Sequence, residues 1–470
     1  MTGTAYEPVI GLEIHVQLGT RTKMFCSCAL GFGEPPNTRT CPVCLGLPGT
    51  LPVTNAQAIR YGIAMGLAFG CEIAPRSIFH RKNYFYPDLA KGYQISQYDI
   101  PLCSGGTLGD VRLHRIHLEE DAAKLVHESA SGRIHGSDSS VVDYNRGGTP
   151  LAEIVTEPDI TSAAQAREWL TLLRETLRQL GVSDVDMSQG SLRCDANVSI
   201  RPAGETELGT KTELKNMNSF AHLEAGVNAE IARQTKLVEA GERVTQETLH
   251  FDPRTGALTP LRSKEEAHDY RYFPEPDLVA VAPTPELIEE IRASLPELPA
   301  ARAARYEADY ALTGQDARDL AWRPERARFF EAAVAAAGDG TEPRQLAIWL
   351  AQAPEEGALT PEALAALVQL VASKQVSGSG AKAVLAKLVA EGGDPAAIVE
   401  REGLGAISGD DGALAAAVAK VIAENDDIVA RVRGGNEKAI GALMGPVMRE
   451  TKGRADGGEV QRLIREQLGL

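Results

Sequence analysis

An acid and an imidazole stand two positions apart in the first apolar segment of the chain. In residues 9–18, apolar side chains alternate with polar ones, and Glu13 and His15 belong to the polar set. Because side chains along a strand alternate between its faces, this pattern predicts a β-strand with Glu13 and His15 on one face. A carboxylate beside an imidazole on a rigid strand favours a metal site or a proton-transfer site. A half-buried strand with a solvated outer face explains the alternation equally well.

A second group of ionisable residues follows another β-like stretch. Residues 117–121 read HLEED. On a strand, His117, Glu119 and Asp121 would share one face, and Leu118 and Glu120 the other. A solvated run of charge is the usual origin of such a cluster.

A lone acid, Glu153, lies in the apolar run TPLAEIV at residues 149–155. If Ile154 and Val155 are buried, Glu153 needs a partner or a metal ion, because an unpaired buried carboxylate is costly. Carboxylates, together with one imidazole, suit Mg²⁺ bound to ATP phosphates. Phosphoryl transfer needs such a cation to offset developing charge.

Four cysteines have the spacing of a zinc knuckle over residues 26–44: Cys26, Cys28, Cys41 and Cys44. Two close pairs suit one tetrahedral Zn²⁺, and four thiolates leave no open position, which predicts a structural metal. Unrelated free thiols are the alternative. The remaining three cysteines are expected to be buried as small apolar side chains: Cys71, Cys103 and Cys194.

No standard nucleotide-binding loop is found in the sequence. Residues 204–212 approach the phosphate-binding pattern, but the lysine falls one position late and no apolar strand precedes it. Several turn-rich polar segments are candidates for binding substrate groups instead, namely residues 81–88, 143–148, 190–197 and 211–216.

The elements that must position these residues change along the chain. Up to about Pro296, short β-branched runs are interrupted by Gly, Pro and Asn, which predicts an α+β body. After Pro299 the chain is rich in Ala, Leu, Glu and Arg. Leu364, Leu367, Val368 and Val371 have the spacing of an amphipathic helix, so this region is predicted to contain helices only. A second break near residues 403–412 leads to the predicted division into residues 1–295, 296–405 and 406–470.

Length and charge bound the function. A chain of 470 residues predicts two or three domains, and a net charge of −16 argues against non-specific coating of DNA or other nucleic acid. No apolar run of membrane-spanning length and no secretory signal is found, and clustered cysteines favour a reducing compartment, so we expect a cytoplasmic protein without a membrane partner.

The tail is basic against this acidic background. Residues 431–465 hold four acidic residues and eight basic ones: Arg431, Arg433, Lys438, Arg449, Lys452, Arg454, Arg462 and Arg465. Glycines between them permit close approach of a phosphate backbone. A helical bundle with ordinary surface charge is the alternative.

Eight sequence blocks, in order, resemble the B subunit of the GatCAB tRNA amidotransferases: VIGLEIHVQ at residues 9–17, RKNYFYPD at 81–88, YQISQY at 93–98, LEED at 118–121, NRGGTP at 145–150, GSLRCDANVS at 190–199, ELKNMN at 213–218 and DYRYFPEPD at 269–277. The tail, with SGSGAK at 377–382 and GALMGP at 441–446, is similar to the YqeY-like domain of that family. The resemblance covers essentially the whole chain.

The resemblance implies a fold and a reaction. The fold would be a glutamine-synthetase-like cradle domain, a helical domain and a small helical tail that binds tRNA. ATP would phosphorylate the side-chain carboxylate of misacylated Glu-tRNA(Gln) or Asp-tRNA(Asn), and ammonia would then displace phosphate to give Gln-tRNA(Gln) or Asn-tRNA(Asn).

The resemblance also implies roles for individual residues. The matching magnesium ligands are His15, Glu120 and Glu153, with Glu13 as the acid beside them, and the cysteine set matches a zinc site found in some members. The expected substrate-binding residues are Lys82, Lys91, Asp195 and Asn197. The expected tRNA-binding residues are Lys438, Arg449, Lys452 and Arg454.

The chain shows no amidase signature and no cysteine nucleophile with a histidine partner. It should therefore receive ammonia from a glutaminase partner. The resemblance implies that this partner is the A subunit, that a small C subunit joins the two in a heterotrimer, and that ammonia follows a sequestered path between the sites.

Three other interpretations stay open at this point. The first is the archaeal B-like subunit specific for Glu-tRNA(Gln), although 470 residues leave no room for its insertion. The second is a free amino-acid ligase that needs no tRNA, which the basic tail disfavours. The third is a zinc-bearing tRNA-docking subunit without kinase activity, which the acids around His15 disfavour.

Overall fold

The structure is a computed structural model that describes residues 6–127, 137, 139–262, 270–354, 357–407, 412–434, 436–451 and 453–470. The chain divides into two compact units, Met1–Leu298 and Pro299–Leu470. The first unit is built on a large sheet with helices and the second on helices, so the predicted α+β class is confirmed.

The strands of the first unit are β1 (Tyr6–Gln17), β2 (Glu72–Ile73), β3 (His80–Asn83), β4 (Tyr93–Ser96), β5 (Cys103–Ser104), β6 (Thr107–Leu108), β7 (Val111–Glu120), β8 (Lys124–His127), β9 (Ser140–Asp143), β10 (Pro150–Thr156), β11 (Leu192–Pro202), β12 (Thr212–Lys215), β13 (Thr248–Asp252), β14 (Ala257–Arg262) and β15 (Phe273–Pro274). Thirteen form one sheet, whose main path runs β14-β13-β12-β11-β1-β10-β7-β4-β3-β15. Strands β2, β5 and β6 join it beside β7, and β8 and β9 form a separate two-stranded sheet.

Strand β1 occupies the middle of the sheet, paired antiparallel with β10 on one side and β11 on the other. Its alternation is the predicted one: Ile10, Leu12 and Ile14 are fully buried, whereas Glu13 and His15 are half-buried on the opposite face. In the described part of the first unit, the α-helices are α1 (Ala56–Ala68), α2 (Ala163–Gln179), α3 (Phe220–Glu239) and α4 (Pro285–Ala293). Helix α3 packs on β11, α2 on α3, and α1 on β7. One face of the sheet therefore carries the apolar core, and the other presents polar side chains.

Helix α1 approaches the sheet closely through its glycines. A Cβ atom built on Gly66 would lie 2.5 Å from Cys103 Sγ and 2.6 Å from Ile73 Cδ1. We therefore expect Gly66→Ala to lower the free energy of unfolding by about 1–3 kcal/mol through overpacking, measured by urea denaturation. Gly441→Ala is the matched control, because nothing lies within 4 Å of that Cβ and alanine favours a helix. Equal stability of the two variants would contradict the close packing.

The second unit contains the helices α5 (Pro299–Tyr310), α6 (Gly314–Ala321), α7 (Pro324–Ala337), α8 (Pro343–Leu350), α9 (Pro361–Ala372), α10 (Gly378–Glu391), α11 (Pro395–Glu402), α12 (Ala413–Glu424), α13 (Asp426–Arg433), α14 (Ile440–Glu450) and α15 (Gly457–Leu468), with 3₁₀ turns at Gly338–Gly340 and Glu437–Ala439. Their buried side chains form two separate cores, one from α5 to α11 and one from α12 to α15. The predicted amphipathic helix around Leu364, Leu367 and Val368 is α9, and these three residues are buried. The domain limits at residues 295 and 405 stay a prediction.

Among the described helices of both units, none is both long and apolar enough to cross a membrane.

Candidate active site on the polar face of the sheet

Three neighbouring strands bring one imidazole and two carboxylates together. In the register of the sheet, His15 on β1 faces Glu153 on β10, which in turn faces His117 on β7. Glu119 follows His117 by two positions, so it lies on the same face. His15 Nε2 is 3.4 Å from Glu153 Oε2 and 3.7 Å from Glu119 Oε1.

The His15, Glu119 and Glu153 side chains have the geometry of a cation site. Their ligand atoms all lie within 4.8 Å of one another. Two carboxylates and a neutral imidazole fit a divalent cation such as Mg²⁺, with room left for water or phosphate oxygens. His117 Nε2 lies behind them, 3.3 Å from Glu153 Oε2 and 3.6 Å from Glu119 Oε2, and so orients both carboxylates.

The electrostatics of the cluster keep its carboxylates ionised. Burial lowers the pKa of a histidine, yet Glu153 and Glu119 hold the pKa of His15 above its ordinary value. Against the same burial, these carboxylates raise the pKa of His117 to about 9. Although burial raises the pKa of a carboxyl group, the two histidines hold the pKa values of Glu119 and Glu153 below the ordinary range. An ionised carboxylate is the form that binds a metal ion.

We expect cation affinity at this cluster to rise with pH. Because the pKa of His15 is raised, its ring must lose a proton before it can bind a cation. Below that pKa, affinity should therefore increase by up to about tenfold per pH unit and then level off. Calorimetric titration with Mn²⁺ or Mg²⁺ between about pH 5.5 and 8.5 measures this slope. His15→Gln offers an oxygen that does not titrate and should flatten the slope; an equally steep slope in the variant would contradict the assignment.

The position of Glu120 corrects one sequence-based prediction. Its carboxylate pairs with the ammonium group of Lys91 and accepts a hydrogen bond from Ile95 N at 2.9 Å, on the opposite face of β7. The prediction that Glu120 joins His15 and Glu153 is wrong in this geometry. Adjacent residues of a strand point to opposite faces, so only Glu119 can face the cluster.

Lys82 lies beside the cation cluster. It lines the same cleft as His15 and Glu119, and Arg193 borders that cleft as well. Burial lowers the pKa of a lysine, but Tyr272 and the carboxylates of the cluster hold the pKa of Lys82 above its ordinary value. The cleft therefore combines a cluster of acids with a fixed positive charge.

The polar face continues toward β12. Asn197 Nδ2 donates to Glu13 Oε1 at 2.8 Å, and Asp195 faces Glu13 in the sheet register. Lys215 Nζ is 2.7 Å from Asp195 Oδ2 and 3.2 Å from Glu213 Oε1. The Glu13–Asn197 pair and the Lys215–Asp195 pair thus lie on neighbouring strands, next to the cation cluster on β1.

The four predicted zinc ligands converge, as their spacing indicated. The Sγ atoms of Cys26, Cys28, Cys41 and Cys44 lie within 4.8 Å of one another, and all four are free thiols. A hydrogen bond from Cys26 lowers the pKa of Cys44 to about 4, and the same bond raises the pKa of Cys26. Four sulfur atoms in this arrangement fit a tetrahedral zinc ion.

The cysteine cluster borders the pocket of Lys91 and Glu120. Cys26 and Cys44 line that pocket together with both residues. Gly46, in the turn after Cys44, has φ +67°, and a Cβ atom there would lie 2.5 Å from Lys91 Cγ. The structure therefore brings Lys82 to the cation cluster but places Lys91 in a second pocket beside the cysteines.

Models of protein families match most of the chain. The GatB/GatE catalytic domain matches residues 8–289, and the GatB domain matches residues 328–468. The chain belongs to the GatB/GatE family.

Three curated relatives of similar length support this family membership. Each is named as the B subunit of an aspartyl/glutamyl-tRNA(Asn/Gln) amidotransferase. The chain is 48% identical to the relative from Anaeromyxobacter dehalogenans (strain 2CP-C), over 99% of both chains. It is 49% identical to the relative from Thermobifida fusca (strain YX), over 99% of this chain and 94% of the relative. The relative from Persephonella marina is 46% identical over 98% of this chain and 99% of its own.

Within the region that matches the GatB domain, three of the predicted tRNA-binding residues lie in or next to the helical elements that enclose the last core. Lys438 lies in a 3₁₀ turn, Arg449 in the last turn of α14, and both are exposed. Arg454 is half-buried and donates to Thr451 O at 3.4 Å. The predicted residue Lys452 lies outside the described residues. Their role in binding tRNA stays a prediction.

Sequence reasoning missed several residues of the catalytic-domain cleft. Glu119 and His117 were placed on one face by the period of two, but nothing local showed that this face meets His15. Asp121 was also on that face; its Oδ2 accepts hydrogen bonds from Arg193 Nη2 and Gln17 Nε2, both at 2.8 Å. Only the pairing of distant strands reveals these contacts.

Proposed function

We propose that this chain activates the side-chain carboxylate of misacylated Glu-tRNA(Gln) or Asp-tRNA(Asn) with ATP and converts it to the amide with ammonia. As a member of its family, the chain is a subunit of a ligase-type amidotransferase that acts in tRNA-dependent amidation. The single observation that carries the proposed chemistry is the cluster of His15, Glu119 and Glu153 beside Lys82 in one cleft.

The reaction balances in two steps. A carboxylate oxygen of the substrate attacks the γ-phosphorus of ATP, and ADP leaves with the electrons of the broken P–O bond. Ammonia then attacks the acyl carbon, phosphate departs, and the nitrogen loses a proton to give the amide. A carboxylate does not react with ammonia at neutral pH, so the first step supplies the leaving group.

The residues of the cleft would have different roles in this reaction. His15, Glu119 and Glu153 would hold Mg²⁺, which when bound offsets the charge that develops on the transferred phosphoryl group. Lys82 would attract and orient phosphate oxygens through its positive charge. The Glu13–Asn197 pair would fix the neighbouring strand face against which the substrate carboxylate lies.

The finer features of the assembly belong to the same proposal. We place ATP, Mg²⁺ and a structural Zn²⁺ at Cys26, Cys28, Cys41 and Cys44 with this chain, and a glutaminase A subunit and a small C subunit as its partners. The first unit would be a glutamine-synthetase-like cradle, and the basic tail would bind tRNA. Four clustered free thiols support a reducing compartment, the cytoplasm.

Conversion of labelled substrates tests the proposal directly. The chain in complex with its partners is given Glu-tRNA(Gln) or Asp-tRNA(Asn) with ATP, Mg²⁺ and ammonium chloride, and the released amino acids are separated. We expect Gln-tRNA or Asn-tRNA to form, with ADP release that depends on charged tRNA, and His15→Ala to abolish both. Consumption of ATP with free glutamate would instead indicate a free amino-acid ligase. Binding of tRNA without ATP consumption by the wild type would indicate a docking subunit.

A further inference from the structure

Five of the chain's eleven tyrosines gather beside the cleft of the cation cluster. They form a chain of ring contacts: Tyr86, Tyr84, Tyr270, Tyr272 and Tyr98. The end pair, Tyr98 and Tyr272, is stacked with centroids 4.2 Å apart at an angle of 7°. Aromatic residues make up only 5% of the sequence, so this concentration is unusual for the chain.

Two of these rings line the cleft itself. Tyr84 and Tyr270 border it together with His15, Glu119 and Lys82. Their rings meet at an angle of 70° with centroids 6.4 Å apart, so they form two walls of a corner. Lys82 Nζ lies 4.7 Å from the centroid of Tyr270, at the point where this corner adjoins the acidic cluster.

The backbone that presents Tyr270 is held in an unusual conformation. Arg271, between the two tyrosines of this segment, has φ +47°, a region that residues other than glycine rarely adopt. Asn83 Nδ2 fixes the segment by donating to Tyr270 O at 3.1 Å and Arg271 O at 2.8 Å. Strained backbone held by specific hydrogen bonds is found mostly at binding and active sites, where the strain can preorganise the site for a ligand.

The chemistry of the corner fits a nucleotide base. An aromatic wall stacks on the π-face of a base, and stacking of this kind needs no particular hydrogen-bond pattern. The neighbouring lysine and cation cluster suit phosphates, so a base and its phosphates would both be accommodated in one cleft.

We propose that Tyr84 and Tyr270 form a stacking site for an adenine ring. The inference rests on the proposed function, which brings two adenines to this cleft: the base of ATP and the 3′-terminal adenosine of the charged tRNA. Tyr86 packs against the ring of Tyr84, and Tyr272 against the ring of Tyr270.

Binding measurements on the complex with its partner subunits show whether the adenine belongs to ATP or to the 3′ end of tRNA. Dissociation constants are measured for Mg-ATP, for Mg-tripolyphosphate, and for uncharged tRNA with and without its terminal adenosine. The variants are Tyr84→Ala, Tyr270→Ala and the corresponding phenylalanine substitutions, which keep the ring. Phe32→Ala is the control, since that ring is 78% exposed and lines a different pocket. Thermal unfolding checks that every variant is folded.

We expect the alanine variants to weaken one adenine ligand by about tenfold to a hundredfold, the contribution of one stacked base. The phenylalanine variants and Phe32→Ala should stay within about twofold of the wild type. Loss of ATP affinity with unchanged tripolyphosphate affinity assigns the site to ATP. Loss of the preference for the terminal adenosine, with ATP binding unchanged, assigns it to tRNA. Equal loss for ATP and tripolyphosphate, or no loss for any ligand, overturns the proposal.

Failure of this inference is distinguishable from failure of the proposed function. Wild-type amidation of charged tRNA is measured on the same preparations. If the wild type amidates charged tRNA and the alanine variants bind every ligand as the wild type does, the stacking site is contradicted and the proposed function is retained. If the wild type does not amidate charged tRNA, the proposed function is contradicted, whatever the ligand affinities are.

Discussion

Glu119→Gln is expected to reduce ATP-dependent amidation of charged tRNA by at least about a thousandfold. The substitution keeps the size of the side chain but removes one of two negative charges that face His15 in the cation cluster. Removing a single group that stabilises developing charge costs about a hundredfold to a thousandfold, and here the bound cation is weakened as well. The rate of amide formation at saturating ATP and ammonium chloride measures the effect.

Glu120→Gln is the matched control for this prediction, because the two acids are neighbours in sequence and equally buried. Glu120 faces Lys91 on the other side of β7. We therefore expect its replacement to leave cation affinity within about threefold of the wild type, whereas Glu119→Gln lowers that affinity by about a hundredfold. A loss of cation affinity in Glu120→Gln, with normal affinity in Glu119→Gln, would reverse the assignment made from the strand register.

Cys41→Ser is expected to release zinc and to lower the thermal midpoint of the first unit by about 5 °C or more. Binding of a structural zinc ion stabilises small domains by about 10–16 kcal/mol, and a loss of a few kcal/mol shifts the midpoint of a unit this size by several degrees. The metal content of the purified chain and calorimetric unfolding, with and without a chelator, measure both effects.

Cys71→Ser provides the control for this experiment. Cys71 lies outside the cluster, and its Sγ donates to Gly105 O at 2.9 Å, a bond that a serine hydroxyl can also make. This variant should keep one zinc per chain and a chelator-sensitive midpoint. If Cys41→Ser retains zinc, or if the chelator leaves the wild-type midpoint unchanged, the four cysteines do not hold a structural metal.

Local sequence patterns determined several features of the fold and of the candidate sites. Alternation along residues 9–18 placed Glu13 and His15 on one face of a strand, because the period of two is a property of the extended backbone itself. The cysteine pairs meet as predicted, because the spacing within each pair and the short connection between the pairs are compatible with one shared site. Leu364, Leu367 and Val368 are buried on one helix, as the helical period required.

Tertiary structure alone decided which acids meet His15. Sequence periodicity put Glu119 and Glu120 on opposite faces but did not say which face would meet β1, since that depends on pairing between strands far apart in the chain. The pairing of β1 with β10 and of β10 with β7 selected Glu119. The corner of Tyr84 and Tyr270 has the same origin, because the two rings come from distant segments that only the folded chain brings together.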